Sequence, residues 1–516
     1  MGRTFALTQA DRRFLRDVEQ VVFGNPFSAE RESRLGRLMS GPSTDGGSRD
    51  FATLMRIVRA RLQSYEVDGV VDQRRFGSED RPLIETALLS QAYNRVVPDL
   101  DRLIERQAGG AGGLEPVPFG DRTLADLTES GFSDAEASRY FALFFQVRRA
   151  YYFVDRLLVG NAPSMRQLRL QLWNSLFTHH ARTYARWLWS RMEEFSTLLL
   201  GETGTGKGSA AAAIGRSGFI PYLADRRRFA SDFTASFVSI NLSQFPLTLI
   251  ESELFGHRKG AFTGAIEHHQ GLFERCSAHG ALFLDEIGEV SASVQIKLLQ
   301  VLQERVFTPI GSHDAKRFAG RVIAATNRPL EELRQTGRFR DDFFYRLCSQ
   351  VVVVPPLRQR LAEDPTELQR LVELLTARMI GEPAPEVSIS VMVALRRDLP
   401  DSYPWPGNVR ELEQAVRRIL LTGGYRGDTV DAARSGEDRL VAAVRDGSLA
   451  VDELVGRYCA MLYQRHATFT EVADRTGLDR RTVRKHILAW SRSGPRPVSA
   501  SSDAPAVGGR PDPAHV

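Results

Sequence analysis

The segment GETGTGKG, residues 201–208, constrains the fold of this chain more than any other feature. It follows an apolar run at 196–200 and precedes an alanine-rich stretch with a helical pattern at 209–214. A strand, a glycine-rich turn and a helix start form a phosphate-binding loop, because glycines let backbone N–H groups close around phosphate oxygens. The residues expected to bind the nucleotide here are Gly201, Glu202, Thr203, Gly204, Thr205, Gly206, Lys207 and Gly208.

The rarity of lysine makes this motif more specific. Only five of the 68 basic residues are lysine, and one of them, Lys207, stands where a compact ammonium would meet the outer phosphates. The next position departs from the common pattern, because Gly208 replaces the Ser or Thr that would contact Mg²⁺. The alternative, an ordinary glycine turn, does not account for the flanking strand and helix patterns.

A second motif ends in two carboxylates. The apolar run ALFL at 281–284 is followed by Asp285 and Glu286, as expected of a buried strand that delivers acids to its carboxyl end. Asp285 is expected to hold Mg²⁺ through water, and Glu286 to polarise the water that attacks the γ-phosphate. Two solvated carboxylates at a strand end would be the default interpretation without the phosphate loop upstream.

The segment ESELFGHRKGAFTGA, residues 251–265, carries a family resemblance. It is similar to bacterial enhancer-binding proteins, the AAA+ activators of sigma-54 RNA polymerase. Its core GAFTGA resembles the loop with which that family contacts the polymerase, namely Gly260, Ala261, Phe262, Thr263, Gly264 and Ala265. An exposed Phe262 between flexible glycines is a plausible anchor for a partner. Without the family, a plain surface hairpin would be an equal alternative.

The resemblance covers residues 157–425 and implies further roles. Asn327, in RVIAATNRPLEEL at 321–333, is implied to sense the γ-phosphate, and Asn241 to form a switch with Glu286. Arg340 and Arg346, in GRFRDDFFYRL at 337–347, match the arginine fingers, which stabilise charge on the transferred phosphoryl group from a neighbouring subunit. Arg410, in WPGNVREL at 405–412, is implied to contact phosphate as sensor II.

The C-terminal segment FTEVADRTGLDRRTVRKHILAW, residues 469–490, has the spacing of a helix-turn-helix. It resembles the Fis-type DNA-binding domain. The second helix carries the residues expected to contact DNA, Arg480, Arg481, Thr482, Arg484 and Lys485. A charged helical hairpin for oligomer contacts is the alternative.

Patterns along the chain predict four regions. Residues 1–156 form a helical regulatory domain, and residues 157–425 form an α/β AAA+ ATPase domain with a parallel sheet and a helical lid from about 358. Residues 426–492 form a linker helix and the DNA-binding domain, and 493–516 a disordered tail. Glycine-rich breaks are predicted at 41–47 and 109–113, and surface helices or loops in two apparent insertions at 177–195 and 219–235.

Composition excludes several classes of protein. The chain has no run of about 18 apolar residues, so we expect no membrane span and a cytoplasmic location. Three scattered cysteines do not form a disulfide or zinc framework. Net charge is only +5, so DNA contacts must come from a local patch. A phosphoacceptor receiver domain needs a lysine near its aspartate pocket, and the first 206 residues contain none.

The sequence therefore predicts a transcription activator that uses ATP and Mg²⁺. It would bind upstream DNA as a dimer, assemble a ring that is hexameric in the family, and remodel the sigma-54 RNA polymerase holoenzyme. Two alternatives remain open. An AAA+ protein-remodelling chaperone would share the nucleotide site without the GAFTGA loop or DNA reader. A DNA-binding repressor with a vestigial ATPase is favoured only by Gly208.

Overall fold

The computed structural model describes residues 4–39, 51–110, 113–400, 402–427, 450–466 and 468–493, together with residues 444 and 447. The chain divides into two compact units, Met1–Tyr425 and Arg426–Val516. The break predicted at 41–47 lies outside the described residues, as do residues 111 and 112 of the second break. The predicted disordered tail also lies outside them, except for Ser493, where the last helix ends.

A parallel sheet forms the centre of the first unit. The strands are Thr197–Leu200 (β1), Tyr222–Leu223 (β2), Arg228–Phe229 (β3), Phe237–Asn241 (β4), Ala281–Asp285 (β5), Val306–Phe307 (β6), Lys316–Arg317 (β7), Arg321–Thr326 (β8) and Gln350–Val353 (β9). Five of them form one parallel sheet in the order β4-β5-β8-β1-β9. The pairs β2–β3 and β6–β7 are short antiparallel hairpins.

The apolar runs at 196–200 and 281–284 lie in this sheet as β1 and β5, so the predicted α/β class is confirmed. Strands β5 and β8 are nearly continuous apolar runs because helices cover both faces of a parallel sheet. Strand β9 was not predicted. In a parallel sheet the carboxyl ends of the strands share one edge, and the segments after β1, β5 and β8 meet there.

Eighteen α-helices of the first unit surround or extend this sheet within the described residues. Six precede it: Gln9–Val22 (α1), Ala29–Leu38 (α2), Phe51–Leu62 (α3), Arg81–Ala108 (α4), Phe119–Glu129 (α5) and Asp134–Leu157 (α6). Eight lie around it: Pro163–Phe177 (α7), Ala181–Thr183 (α8), Lys207–Gly215 (α9), Leu247–Phe255 (α10), Leu272–Arg275 (α11), Ala292–Glu304 (α12), Leu330–Gln335 (α13) and Asp341–Leu347 (α14). Four follow it and form the lid: Leu357–Glu363 (α15), Glu367–Ile380 (α16), Pro385–Asp398 (α17) and Asn408–Thr422 (α18).

The N-terminal helices share a hydrophobic core with one face of the sheet. This core runs without interruption from Leu7, through α6 and α9, to Val354 after β9. Helix α6 begins with a capping box between Ser133 and Glu136 and ends at Leu157, beside the boundary predicted at 156. Helix α6 thus ends at Leu157, but the hydrophobic core continues from the N-terminal helices into the sheet domain.

The second insertion, 219–235, is not a surface loop. Tyr222, Phe229 and Phe233 are buried, and they pack against aromatic rings of α6. The prediction of a surface position was wrong because the aromatic residues on either side of the polar residues 225–228 face a helix from the N-terminal region. The first insertion, 177–195, is partly exposed at Trp187 but buries Tyr184 in the same core.

The described part of the second unit contains three helices, Val451–His466 (α19), Phe469–Thr476 (α20) and Arg480–Ser493 (α21). Cys459, Leu462, Val472 and Val483 form its buried core. Helix α20 ends at Gly477 with a left-handed φ of 69°, which a glycine adopts without steric cost. Across the described residues of both units, no helix combines the length and apolar character needed to span a membrane.

Candidate functional site

The phosphate loop lies between β1 and α9, and Lys207 is the first residue of α9. Lys207 is buried, and its Nζ donates to the backbone oxygens of Gly201 at 2.8 Å and Glu202 at 3.1 Å. Burial lowers the pKa of Lys207, and the carboxylates of Glu286 and Asp285 act in the opposite direction. The ammonium of Lys207 and the two carboxylates are therefore in one electrostatic environment.

Two glycines of the loop differ in what surrounds them. Gly204 has a φ of +80°, and a Cβ there would lie 2.2 Å from the backbone oxygen of Gly407. Glycine at this position is therefore required by both conformation and space. A Cβ at Gly208 would meet nothing within 4 Å, so the missing hydroxyl after Lys207 has no steric cause.

The two carboxylates follow β5 at the carboxyl edge of the sheet. Asp285 is its last residue, and Glu286 adopts a left-handed φ of 57°. Burial raises the pKa of both side chains, and Lys207 partly offsets this effect. Half-buried carboxylates beside a phosphate loop are the hard oxygen donors that Mg²⁺ prefers, so the residues present fit this ion.

Asn327 connects the loop with Glu286. It follows β8, which lies between β5 and β1 in the sheet. Its backbone N–H donates to Glu286 Oε2 at 3.4 Å, and its Nδ2 donates to Thr203 Oγ1 at 3.0 Å. The side chain is thus positioned between the phosphate loop and the residue expected to polarise water.

The lid contacts the phosphate loop through residues that the sequence analysis missed. Arg358 of α15 forms an ion pair with Glu202, and Nδ2 of the buried Asn408 donates to Glu202 Oε2 at 3.1 Å and to the Thr203 oxygen at 3.0 Å. Asn408 Oδ1 also accepts from Leu357 N–H at 2.7 Å. Its φ of 53° suits Asn, which tolerates the left-handed region better than most residues.

Arg410 lies beside the same loop. Its Cβ is 3.0 Å from the position that a Cβ on Gly204 would occupy, and the Val409 N–H donates to the Gly204 oxygen at 3.0 Å. The start of α18 therefore faces the phosphate loop. A helix N-terminus with an arginine in its first turn is favourable for an anion.

We expect Asn408→Asp to weaken nucleotide binding by about tenfold or more, because it replaces a donor with a charge. The new carboxylate would face the Glu202 carboxylate and the Thr203 oxygen, and a buried acceptor without a donor costs about 1–3 kcal/mol. Titration with a fluorescent ATP analogue measures the effect. Asn408→Gly, which preserves the backbone conformation, is the matched variant and should have the smaller defect. Wild-type affinity in Asn408→Asp would contradict the role assigned to this amide.

The side chains of three further residues predicted for the site make no hydrogen bond or ion pair with this cluster among the described residues. Asn241 pairs with Asp285 in strand register, but its Oδ1 accepts from Ser243 N–H at 3.0 Å and from Ser243 Oγ at 2.7 Å. Arg340 precedes α14 and forms an ion pair with Asp342 at 2.7 Å. At the end of α14, Arg346 donates to Leu302 O at 2.9 Å and to Glu194 Oε2 at 3.0 Å.

The loop at 260–265 projects from a base formed by neighbouring backbone segments. Gly260 N–H donates to the Ala265 oxygen at 2.8 Å and closes the loop. Gly260 and Gly264 have φ values of 81° and 101°, and a Cβ on either would meet no atom within 4 Å. Between them Phe262 is 38% exposed, and its ring packs edge-on against His257 at 4.9 Å. The loop therefore presents an aromatic ring at the surface.

The basic residues of α21 are exposed, and in the described residues no ion pair engages Arg480, Arg481, Arg484 or Lys485. Thr482 has a local role as well, because its hydroxyl donates to Asp479 Oδ2 and its N–H donates to Asp479 Oδ1 at 3.0 Å. This cap holds the start of α21.

Parts of the chain are similar in sequence to known proteins. The model of the Sigma-54 interaction domain matches residues 178–353. The chain is 40% identical over 276 residues to the Nif-specific regulatory protein of Azotobacter vinelandii, covering 54% of this chain and 46% of that protein. It is 38% identical over 262 residues to the DNA-binding transcriptional regulator NtrC of Azospirillum brasilense, covering 51% and 47%.

A third relative matches over a longer stretch. The NtrC protein of Bradyrhizobium sp. (strain RP501 Parasponia) is 34% identical over 331 residues, covering 64% of this chain and 61% of that protein. The chain spans about half the length of the first two relatives. These matches confirm the family resemblance, and residues 178–353 of this chain are a sigma-54 interaction domain of the kind found in sigma-54-dependent enhancer-binding proteins.

Proposed function

We propose that this protein is an ATP-dependent transcription activator that binds upstream DNA and remodels sigma-54 RNA polymerase in the cytoplasm. One observation carries the proposal. The phosphate loop belongs to a domain that matches the sigma-54 interaction family, and its lysine lies close to polar and charged residues from other segments. These residues are Asp285, Glu286, Asn327 and Arg410, which lie near Lys207 or the loop glycines.

The proposed reaction is attack of water on the γ-phosphate of ATP, which releases ADP and phosphate. Lys207 neutralises charge on the outer phosphates, and Glu286 polarises the attacking water. Asn327 donates hydrogen bonds to Glu286 and Thr203. A bound γ-phosphate that contacts Asn327 would therefore affect both the phosphate loop and Glu286. Bound Mg²⁺, held from Asp285 through water, would neutralise phosphate charge.

Arg340 and Arg346 fit a role on a neighbouring subunit, because neither bonds to its own phosphate loop in the described residues. A guanidinium supplied from another subunit is a common way to stabilise charge on the transferred phosphoryl group. We therefore propose a homo-oligomer, from a DNA-bound dimer to a hexameric ring, with nucleotides between subunits. The switch between Asn241 and Glu286 belongs to this proposal, since it would require Asn241 to release Ser243.

The loop at 260–265 is proposed as the contact with the polymerase, and α21 as the DNA-reading helix. The second unit carries eight basic and five acidic residues between 451 and 492, and the four exposed cations of α21 lie on one helix. Positive charge on an exposed helix that follows a tight turn supports contacts with the phosphates and base edges of duplex DNA.

We expect Arg484→Ala to weaken binding to a DNA duplex, selected from a random pool by the wild-type protein, by about 1–3 kcal/mol. Arg484 is exposed on α21, so its loss removes a DNA contact without disturbing the core. A gel-shift titration measures the affinity, and ATP hydrolysis should not change. Arg475→Ala on α20 is the matched control, since Arg475 pairs with Glu471. Equal DNA affinity of wild type and Arg484→Ala would show that Arg484 does not contact DNA.

Steady-state ATP hydrolysis by the full-length chain, at concentrations that permit oligomers, tests the proposed function. The full chain is the right sample because a cut near 157 would divide the shared hydrophobic core. If the chain does not hydrolyse ATP, the proposed ATPase activity is wrong and the alternative of a DNA-binding repressor with a vestigial ATPase is favoured. Hydrolysis without activation of sigma-54 transcription from a template carrying the selected duplex would favour a remodelling chaperone.

A further inference from the structure

Arg149 of α6 is one of the most deeply buried side chains described in the molecule, with no exposed surface. Its Nη1 donates to the Arg216 oxygen at 2.8 Å, and its Nη2 donates to the Gly218 oxygen at 2.7 Å. Among the described ion pairs, none includes Arg149. A buried guanidinium that relies on backbone oxygens is costly, so its partners must be held firmly in place.

The oxygens that Arg149 contacts belong to the turn at the end of the phosphate-loop helix. Helix α9 ends at Gly215, so its C-terminal carbonyls and those of the next turn carry partial negative charge. Gln146, one turn earlier on α6, donates through Nε2 to the Ser217 oxygen at 3.1 Å. Two side chains of the N-terminal region thus bind three consecutive backbone carbonyls of the predicted ATPase domain.

Aromatic rings surround the contacts that Arg149 and Gln146 make with the carbonyls of residues 216–218, which we call the joint. Phe145 and Phe233 lie under the guanidinium of Arg149, at 4.3 Å and 5.6 Å from their centroids. Tyr184, from the first insertion, donates its hydroxyl to Gln146 Oε1 at 2.8 Å. Burial lowers the pKa of Arg149 to about 9, so the side chain stays charged at neutral pH. The joint is therefore buried and charged, and the Nε of Arg149 has no hydrogen-bond partner among the described residues.

We expect helix α9 to move as one rigid element, so that a shift at its C-terminal turn also moves Lys207 at its start. It spans nine residues, which is about 14 Å, with Lys207 at one end and the turn held by Arg149 just beyond the other. Its alanines at 210, 211 and 213 are fully buried, so its backbone packs at close range against its neighbours. A Cβ on Gly215 would lie 2.2 Å from the Phe237 ring.

We infer that Arg149 is a positioning residue for the nucleotide site, through which the N-terminal helical region fixes the phosphate-loop helix and with it Lys207. The inference rests on the proposed function, since it concerns the same ATP hydrolysis, but it adds the place where the N-terminal region acts. Movement of α6 would shift the turn at 216–218 and, through the rigid α9, the ammonium that faces the phosphates.

The test is Arg149→Met in the full chain, which keeps volume but removes the charge and both donors. We expect kcat for ATP to fall between about tenfold and 100-fold, because small displacements of a catalytic group have effects of that size. Arg149→Lys keeps the charge and should have a smaller defect. The matched control is Arg148→Met, because Arg148 pairs with Asp101 inside the N-terminal region, and it should remain within twofold of wild type.

Thermal unfolding separates positioning from folding. A purely structural role predicts a lower melting temperature for Arg149→Lys with wild-type kcat and KM at temperatures where it is folded, and that result would overturn the inference. Hydrolysis by folded Arg149→Met within twofold of wild type would overturn it as well. If Arg149→Met does not fold, Arg149→Lys and Gln146→Leu decide: wild-type kinetics in both would overturn the inference.

Failure of the proposed function gives a different result. In that case the wild-type chain itself would not hydrolyse ATP, whatever residue stands at 149. The affinity of the folded variants for a fluorescent ATP analogue then tests the joint without hydrolysis. Weaker binding by Arg149→Lys and Gln146→Leu than by Arg148→Met supports the joint, and equal binding by all three overturns it.

Discussion

Glu286→Gln is expected to reduce ATP hydrolysis by a factor of about 10²–10⁴ while leaving nucleotide binding intact. The amide fills the same space and can still accept from Asn327 N–H, but it cannot take a proton from water. Steady-state hydrolysis measures the loss, and titration with a fluorescent ATP analogue shows that the site is still formed. Glu289→Gln is the matched control, because Glu289 lies one turn on and pairs with Arg328 at 2.6 Å.

The same substitution is expected to raise the melting temperature of the nucleotide-free protein at neutral pH. Burial raises the pKa of Glu286 above its ordinary value of 4.5, so folding favours the protonated form. The stability linked to this proton is present at low pH and is lost as pH rises through the raised pKa. Glutamine imitates the neutral form, so its advantage over glutamate should be greatest at neutral pH.

A pH series of thermal unfolding therefore separates this effect from a general one. The difference in melting temperature between Glu286→Gln and wild type should narrow as pH falls, since wild-type Glu286 then takes up its proton. Hydrolysis by Glu286→Gln within tenfold of wild type would remove Glu286 from the catalytic role, and a constant temperature difference would contradict the burial argument.

The parts of the site that sequence predicted are those whose residues are local in the chain. Lys207 and its glycines form one continuous segment, and Asp285 and Glu286 follow directly from a strand pattern. Their meeting at one edge follows from the geometry of a parallel sheet. Asn327 lies at the same edge, where it bonds to both Glu286 and Thr203.

The parts that sequence missed depend on contacts between distant segments. Asn408 contacts Glu202, which lies some two hundred positions earlier, and nothing in its neighbours announces that partner. Arg149 is one of 63 arginines, for which an exposed position is the default. A signal for it did exist, because Phe141, Phe145 and Phe153 recur at helical spacing with Arg149 and place it on an aromatic face.

The aromatic residues between Tyr140 and Tyr152 illustrate the same limit. Several of these side chains recur at helical spacing and are buried in a core. Their partners could not be predicted, because Tyr222 and Phe229 come from the apparent insertion at 219–235, which is predicted to form surface helices or loops. Side-chain periodicity identifies a buried face, whereas the element that covers it is decided by packing in three dimensions.

Phe262→Ala is expected to uncouple ATP hydrolysis from transcription. The ring is 38% exposed and rests on His257 at a loop that contributes nothing to the nucleotide cluster, so its loss should leave basal hydrolysis within twofold of wild type. An exposed aromatic anchor commonly carries much of the binding energy of an interface, with losses of about 2 kcal/mol or more on truncation. Sigma-54 transcription in a reconstituted assay should therefore fall at least tenfold.

The control for this variant is Ile266→Ala, because Ile266 is 75% exposed and lies immediately after the loop. If any exposed apolar side chain near the loop served the interface, both variants would lose transcription equally. The proposal requires the larger loss in Phe262→Ala, because Phe262, unlike Ile266, lies between the two open glycines, Gly260 and Gly264. Wild-type transcription in Phe262→Ala would overturn the assignment, and parallel loss of hydrolysis and transcription would place the ring in the motor rather than in the polymerase contact.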